Sequence, residues 1–402
     1  MKILFLSSKV PHARSIGGHQ IVYQRIRRLI RKGHQVGLAA LERGDKQQTD
    51  DPLYNQLVQC RRVPAPPRGT SLRRLKDYAL SRVPPPFWPY RSRAMSRVVG
   101  DMVEEHRYDV VLAEFCSMGQ YLYHNPWLPA VRKIISTHEC TSMSARTPMY
   151  LPERTLFKSA KEHLITRDLA RFEFNLYRCA DRVLTLSQED RFTLLAHAPE
   201  LRVSVVPAGV DLEYFSPPIT RGSEESILFT GQYQDEPNRD AFEWFVARAW
   251  PRLKQQRPQL RFFVLGPNPT PAMFALARNH PGVELLGEIS DIRPYLARAN
   301  VFVAPLRMGS GLRVKILEAM AAGIPVVTTS TAAEGIPVQS GVNAMMADDP
   351  AIMAESIDLL LSDPVLCRRM GERARAMVVE RFNWDRNIAL LEDALEEVRN
   401  KK

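Results

Sequence analysis

Short runs of β-branched and aliphatic residues alternate with longer amphipathic stretches through the first half of the chain. The pattern predicts strands over 3–7, 35–40, 110–113, 134–137, 183–186 and 203–206. Between the first two, residues 20–32 carry Ile21, Val22, Ile26, Leu29 and Ile30 at helical spacing. Gly33 follows, where a helix commonly ends on a left-handed residue. Strand, helix and strand in this order predict a parallel sheet with helices on both faces.

Residues 207–218, PAGVDLEYFSPP, break the alternation with three prolines and a glycine, and a polar run continues to Ser226. The alternation then restarts. Strands are predicted over 227–230, 261–265, 301–304 and 326–328, and helices over 239–256, 312–322, 351–361 and 364–380. A last helix runs from about Trp384 to Val398. The expected domains are therefore 1–210, a linker 211–226, a second domain 227–383, and a helix 384–402 crossing back to the first. The fold class expected is α/β, with two doubly wound Rossmann-like domains facing a cleft.

Composition narrows the picture. At 402 residues, 45% hydrophobic and 25% charged, the chain reads as globular and too long for one core. Its five cysteines are scattered with no CxxC pair, so neither a zinc site nor a disulfide framework is expected. The opening MKILFLSSKV reads as a first strand rather than a signal peptide, and no apolar run reaches the roughly 18–20 residues of a membrane span. A reducing cytosol is the expected compartment.

Net charge is +11 and unevenly spread. Between Arg61 and Gly100 stand ten Lys or Arg and one acid, Asp77, a local balance of +9. The same segment holds PPPFWPY at 84–90. Basic residues with exposed aromatics suit an anionic membrane surface, here the inner face, or a phosphate-bearing acceptor. A solvated loop and helix would carry the same charge. No nucleic-acid-reading module accompanies it, so nucleic-acid binding is not expected.

The most informative stretch is PLRMGSGLRVKILEAMAAGIPVV at 305–327. It reads as strand, glycine turn, helix and strand. Gly309 and Gly311 allow close backbone approach, and N–H groups of Gly311 and Leu312 at a helix start favour an anion. Arg307, Arg313 and Lys315 add positive charge, so a diphosphate is the natural guest. Glu318, one to two turns into the helix, can accept hydrogen bonds from ribose hydroxyls. His138, in IISTHEC, falls at the carboxyl end of a strand, the edge where open α/β sheets bind ligands, with Glu139 beside it. A structural histidine is the plain alternative. No DxD pair sits at a strand end, and Asp348-Asp349 reads as a helix start, so no metal or other cofactor is expected.

In these strings the chain resembles the family-4 retaining glycosyltransferases (GT-B fold, glycosyl transferases group 1) over nearly its whole length. LEAMAAGIPVV at 317–327 matches the family signature, and Gly17-Gly18 matches its N-terminal glycine loop. GHQV at 33–36, VPAGVD at 206–211 and LFTGQYQDEPN at 228–238, which contains Gly231, match further pieces in order. Two departures stand out. Ser310 occupies the place of the family's first acid, whose sugar contact backbone around 308–310 would have to supply. Gln232 and Pro237-Asn238 occupy the places of its phosphate-facing cations, which Arg307, Arg313 or Lys315 would replace. The PN loop resembles a subgroup associated with cell-surface polysaccharide assembly.

The resemblance implies sugar transfer from a UDP- or GDP-linked donor to a sugar or lipid-linked acceptor, with retention and without metal. It also places His138 near the donor sugar, where imidazole would donate to a hydroxyl or stabilise charge. A nucleotide-sugar 2-epimerase and a non-catalytic nucleotide-sugar-binding partner subunit are the alternatives; the loss at Ser310 keeps the second alive.

Overall fold

The computed structural model describes residues 1–13, 17–42, 51–66, 83–138, 140, 156–218, 224–309 and 311–401, with the side chains of 156–165 left out. The chain divides into two units, Met1–Pro207 with Asp385–Lys402, and Ala208–Trp384.

In the first unit β1 (Lys2–Ser7), α1 (Gly18–Arg31), β2 (Gln35–Glu42) and β3 (Gln59–Pro64) are followed by α2 (Arg93–His106) and β4 (Val110–Glu114). Then come α3 (Cys116–Gly119), β5 (Arg132–Ser136), α4 (Leu156–Arg178), β6 (Arg182–Thr185), α5 (Gln188–His197) and β7 (Val203–Val205). The described strands form one parallel sheet in the order β3-β2-β1-β4-β5-β6-β7, so the winding reverses between β1 and β4. Continuous apolar runs such as Ile3–Leu6 are fully buried, as strands covered on both faces must be. On α1, Ile21, Val22, Ile26 and Leu29 turn inward. Residues 385–402 belong to this unit, where Glu392 meets Lys32 at 2.6 Å and His34 at 2.8 Å.

The second unit runs β8 (Ser226–Thr230), α6 (Glu236–Arg248), α7 (Trp250–Gln256), β9 (Arg261–Leu265), α8 (Pro271–Arg278) and β10 (Val283–Gly287). It continues with α9 (Arg293–Arg298), β11 (Val301–Ala304), α10 (Val314–Ala321), β12 (Val326–Thr328) and β13 (Met345–Met346), then α11 (Pro350–Ser362) and α12 (Pro364–Arg381). α13 (Trp384–Arg399) follows and from Asp385 onward belongs to the first unit. The strands are parallel in the order β10-β9-β8-β11-β12-β13, with reversal between β8 and β11. The small residues of the 317–327 string are explained by packing. A Cβ on Gly371 of α12 would lie 2.1 Å from the Gly323 carbonyl oxygen, and Arg375 of α12 donates to the Ala321 carbonyl.

Several expectations need correction. The helix expected over 239–256 is broken into α6 and α7, because Pro251 has no N–H to continue the ladder. β3 and β10 were not expected, since charged or polar residues interrupt their apolar pattern. The aromatics of PPPFWPY are not exposed. Phe87 is 2% accessible and sits edge-on to Phe172, with ring centroids 4.9 Å apart. Trp88 is half-buried and donates through Nε1 to the Val83 carbonyl at 2.7 Å, and Tyr90 packs partly against the same core. Arg61 pairs with Glu105 at 2.6 Å. Residues 67–82 of the segment lie outside the described residues.

Burial of Phe87 has a measurable consequence. Phe87→Ala should cost about 3–5 kcal/mol in denaturant unfolding, the range for an aromatic lost from a core. A change within about 0.5 kcal/mol would mean that the ring lies at the surface.

Candidate functional site

In the second unit the carboxyl ends of β8 and β11 meet at the reversal, the usual ligand edge of such a sheet. After β11 the backbone turns through Gly309 and Gly311, with φ of 92° and 85°, a region that favours glycine. Arg313 stands at the N-cap position of α10 without a side-chain cap bond, and the helix begins at Val314. Gly311 and Leu312 therefore precede the helix, and the start expected at 312 is corrected. Ser310 lies outside the described residues, as does Glu139.

Lys315, in the first turn of α10, reaches back to the first loop of the unit. Its Nζ donates to the Thr230 carbonyl at 2.7 Å and to Asn238 Oδ1 at 2.6 Å, and lies 4.9 Å from the Phe229 ring centre. Gly231 is tight here: a Cβ would stand 3.0 Å from the Asn238 side chain. Arg313 lies close by, its guanidinium 2.7 Å from where a Cβ on Gly309 would be. Arg307 does not join them. It pairs with Asp240 of α6 at 2.5 and 3.0 Å and lies over the Trp244 ring.

Glu318 stands one turn beyond Lys315 on α10, half-buried, with no hydrogen-bond partner among the described residues. Burial pushes its carboxyl up to about 7, against the pull of Lys315. Burial pushes the Lys315 ammonium down to about 7; Arg313 adds to this, while Glu318 opposes it. The arrangement offers a cation, a helix start with no side-chain cap and a carboxyl lacking a partner, all around one glycine turn. Asp349 caps α11, accepting from the N–H groups of Ala351 and Ile352.

The first unit holds a second cluster at its own reversal. His138 lies two residues past β5, buried, with Nε2 2.8 Å from Glu114 Oε2 at the end of β4. Glu114 is clamped by the buried Arg25 of α1, whose Nη1 donates at 3.0 and 3.1 Å. Burial pushes the Glu114 carboxyl up, but Arg25 and His138 outweigh it and hold it at about 2. Burial holds His138 below the usual imidazole range, with Glu114 opposing. The ring lies 4.2 Å from that of Phe115, whose other neighbour is His19 at 4.7 Å. Gly18 closes over this stack, leaving no room for a Cβ: one would be 2.6 Å from Phe115 and 2.7 Å from His138 Nδ1. Gly17 precedes it with φ 59° and open space at its Cβ position. Sequence reasoning missed Arg25 and Glu114. The only signal was an arginine on the inward face of α1 and an acid ending an apolar strand.

Comparison with known proteins bears on the family and the fold. The Glycosyltransferase Family 4 model matches residues 16–214, and the Glycosyl transferases group 1 model matches residues 224–363. The D-inositol 3-phosphate glycosyltransferase of Corynebacterium glutamicum is 25% identical over 315 residues, covering 72% of each chain. The UDP-Gal:alpha-D-GlcNAc-diphosphoundecaprenol alpha-1,3-galactosyltransferase of Escherichia coli is 24% identical over 59% of this chain and 65% of its own. The solved structure of Anabaena HepE in complex with UDP and glucose superposes with a TM-score of 0.69 at 16% identity, covering 98% of this chain and 99% of that one. Two doubly wound parallel sheets, each with a polar cluster at its reversal, make this an enzyme of the GT-B fold. The chain belongs to the family-4, group 1 glycosyltransferases. That assignment selects a transferase over an epimerase or a non-catalytic subunit.

The Glu318 environment can be tested without a ligand. Its carboxyl should titrate near 7 in carbon-detected NMR, not near 4.5. Lys315→Met should move it higher still, because the ammonium's pull is lost. A titration near 4.5 that ignores Lys315→Met would contradict the described burial.

Proposed function

We propose that the enzyme transfers a glycosyl group from a UDP- or GDP-linked sugar to a hydroxyl of a sugar or lipid-linked acceptor, with retention, in polysaccharide or glycolipid assembly. The observation that carries this reading is the glycine turn before α10, with Lys315 and Arg313 beside it and Glu318 lacking a partner behind it. Glu318 takes the ribose hydroxyls, and the cations with the backbone of the turn take the diphosphate as its charge develops. No metal is assigned to the leaving group in this scheme.

The galactosyltransferase relative supports a UDP-linked donor and a lipid-diphosphate-linked acceptor, since both are in its name. HepE was solved with UDP and glucose, which supports the same donor class. The reading includes contact with an anionic surface at the inner face of the membrane. Among the described residues no helix is long and apolar enough to cross a membrane. Arg93 and Arg97 of α2 stay exposed with their guanidinium groups over Trp127, and these are the cations the surface contact would use.

His138 acts on the sugar rather than the nucleotide in this scheme. Donor hydrolysis and transfer should be screened with UDP-, GDP- and ADP-sugars, and the active donor used to compare wild type with His138→Ala. kcat should fall by about one order of magnitude or more, the range for a polar group lost at a reacting centre. Nucleotide affinity should barely change, the pattern of an interaction made mainly in the transition state. Full turnover by the variant would reject that role. Turnover by wild type with none of the donors would count against the donor class proposed.

A further inference from the structure

We propose that Asn238 is a positioning residue for the donor's diphosphate: its neutral amide holds the Lys315 ammonium beside the glycine turn and leaves the charge for the phosphates. This rests on the nucleotide site read above at the start of α10.

Lys315 Nζ donates to Asn238 Oδ1 at 2.6 Å and to the Thr230 carbonyl at 2.7 Å. An ammonium has three protons, so one is left for a ligand. The amide is itself held in place. Asn238 is buried, its Nδ2 donates to the Gln232 carbonyl at 2.9 Å, and a Cβ on Gly231 would press on its side chain at 3.0 Å. With Nδ2 committed to a carbonyl, Oδ1 is the atom that faces the lysine. Pro237 reaches the turn: its Cγ lies 3.4 Å from where a Cβ on Gly309 would be, on the same small space that the Arg313 guanidinium approaches. The PN pair therefore touches the turn with one residue and the cation with the next.

The chemistry of residue 238 matters as much as its place. Both acceptors of Lys315 are uncharged, so they orient the ammonium without cancelling it. An ionised carboxylate of the same shape would neutralise it, and could not donate to the Gln232 carbonyl. The charges around the ammonium are Arg313 and Glu318 on α10 and Asp235 ahead of α6, while β8 offers a carbonyl and the Phe229 ring. Burial pushes the lysine down to about 7, Arg313 adds to this, and Glu318 and Asp235 oppose it. A diphosphate beside it favours the charged form, so above that pH binding takes up a proton.

The test uses the full-length protein. Calorimetric Kd values are taken for UDP and uridine, and for GDP and guanosine, in wild type, Asn238→Asp and Asn238→Ala. NMR of 15N-labelled lysine follows the Lys315 titration, assigned by its loss in Lys315→Met. Asn238→Asp should raise that titration, because a carboxylate favours the ammonium, and Asn238→Ala should lower it, because an acceptor is lost. Both should nevertheless cut the preference for diphosphate over nucleoside about ten-fold, with nucleoside Kd within about two-fold of wild type. A residue that only supports the fold would not move the titration in opposite directions. Wild-type preference in either folded variant would overturn the proposal, as would a lysine titration that ignores both. If neither variant folds, wild type decides. At about pH 8, in buffers of different ionisation enthalpy, diphosphate binding should take up a proton that nucleoside binding does not, and no uptake would overturn the proposal. Wild type that binds nucleoside and diphosphate alike, or neither, would instead defeat the nucleotide site on which the proposal rests.

Discussion

Lys315 has to keep an ammonium group where little water reaches it, and the second unit is arranged around that requirement. Its three protons need acceptors, and the Thr230 carbonyl and Asn238 Oδ1 supply two. Thr230 ends β8 and Asn238 lies in the first turns of α6, so one side chain joins α10, β8 and α6. The Phe229 ring beneath it adds a cation–π contact. Gly231 leaves room for Asn238, which a Cβ there would crowd at 3.0 Å, and Asn238 is itself held through Nδ2 to the Gln232 carbonyl at 2.9 Å. Partial desolvation leaves the lysine and Glu318 poised near the same pH. An incoming anion would find a cation already positioned, with no side chain to reorganise.

This contact also accounts for a departure in sequence. The loop after β8 lacks the arginine and lysine that its resemblance calls for, having Gln232 and Pro237 instead. In space the loop is not without a cation, because Lys315 comes to it from 77 residues away. Asn238, which follows the departing proline, is the residue that receives it. The PN loop and the lysine on α10 are thus two halves of one interaction.

What was legible in the sequence was whatever is contiguous. Alternating periodicity gave the α/β class because buried parallel strands are unbroken apolar runs. The glycine turn and α10 were readable because ligand edge, turn and helix lie within one string. Edge strand β3 was not, since Arg61 and Arg62 break its apolar pattern; the first pairs with Glu105. Phe87 looked like a surface aromatic because its neighbours are prolines and arginines, and only the tertiary fold turns it inward. Arg307 looked equivalent to Arg313 by spacing, yet Asp240 of α6 draws it away. The Arg25–Glu114–His138 chain was beyond reach, for its links span 89 and 24 residues and no local pattern marks them.

The central claim is that the start of α10 is a nucleotide site with Glu318 as its ribose anchor. It is tested most directly by a cycle of ligand and side chain. Calorimetric Kd values for UDP or GDP and for the 2′,3′-dideoxy analogue would be compared in wild type and Glu318→Gln. Wild type should prefer the ribose form by roughly 1.5–3 kcal/mol, the worth of a hydrogen bond to a charged group. Glu318→Gln should lose most of that preference and bind the dideoxy form about as wild type does. Equal preference for ribose in the two proteins would contradict the account.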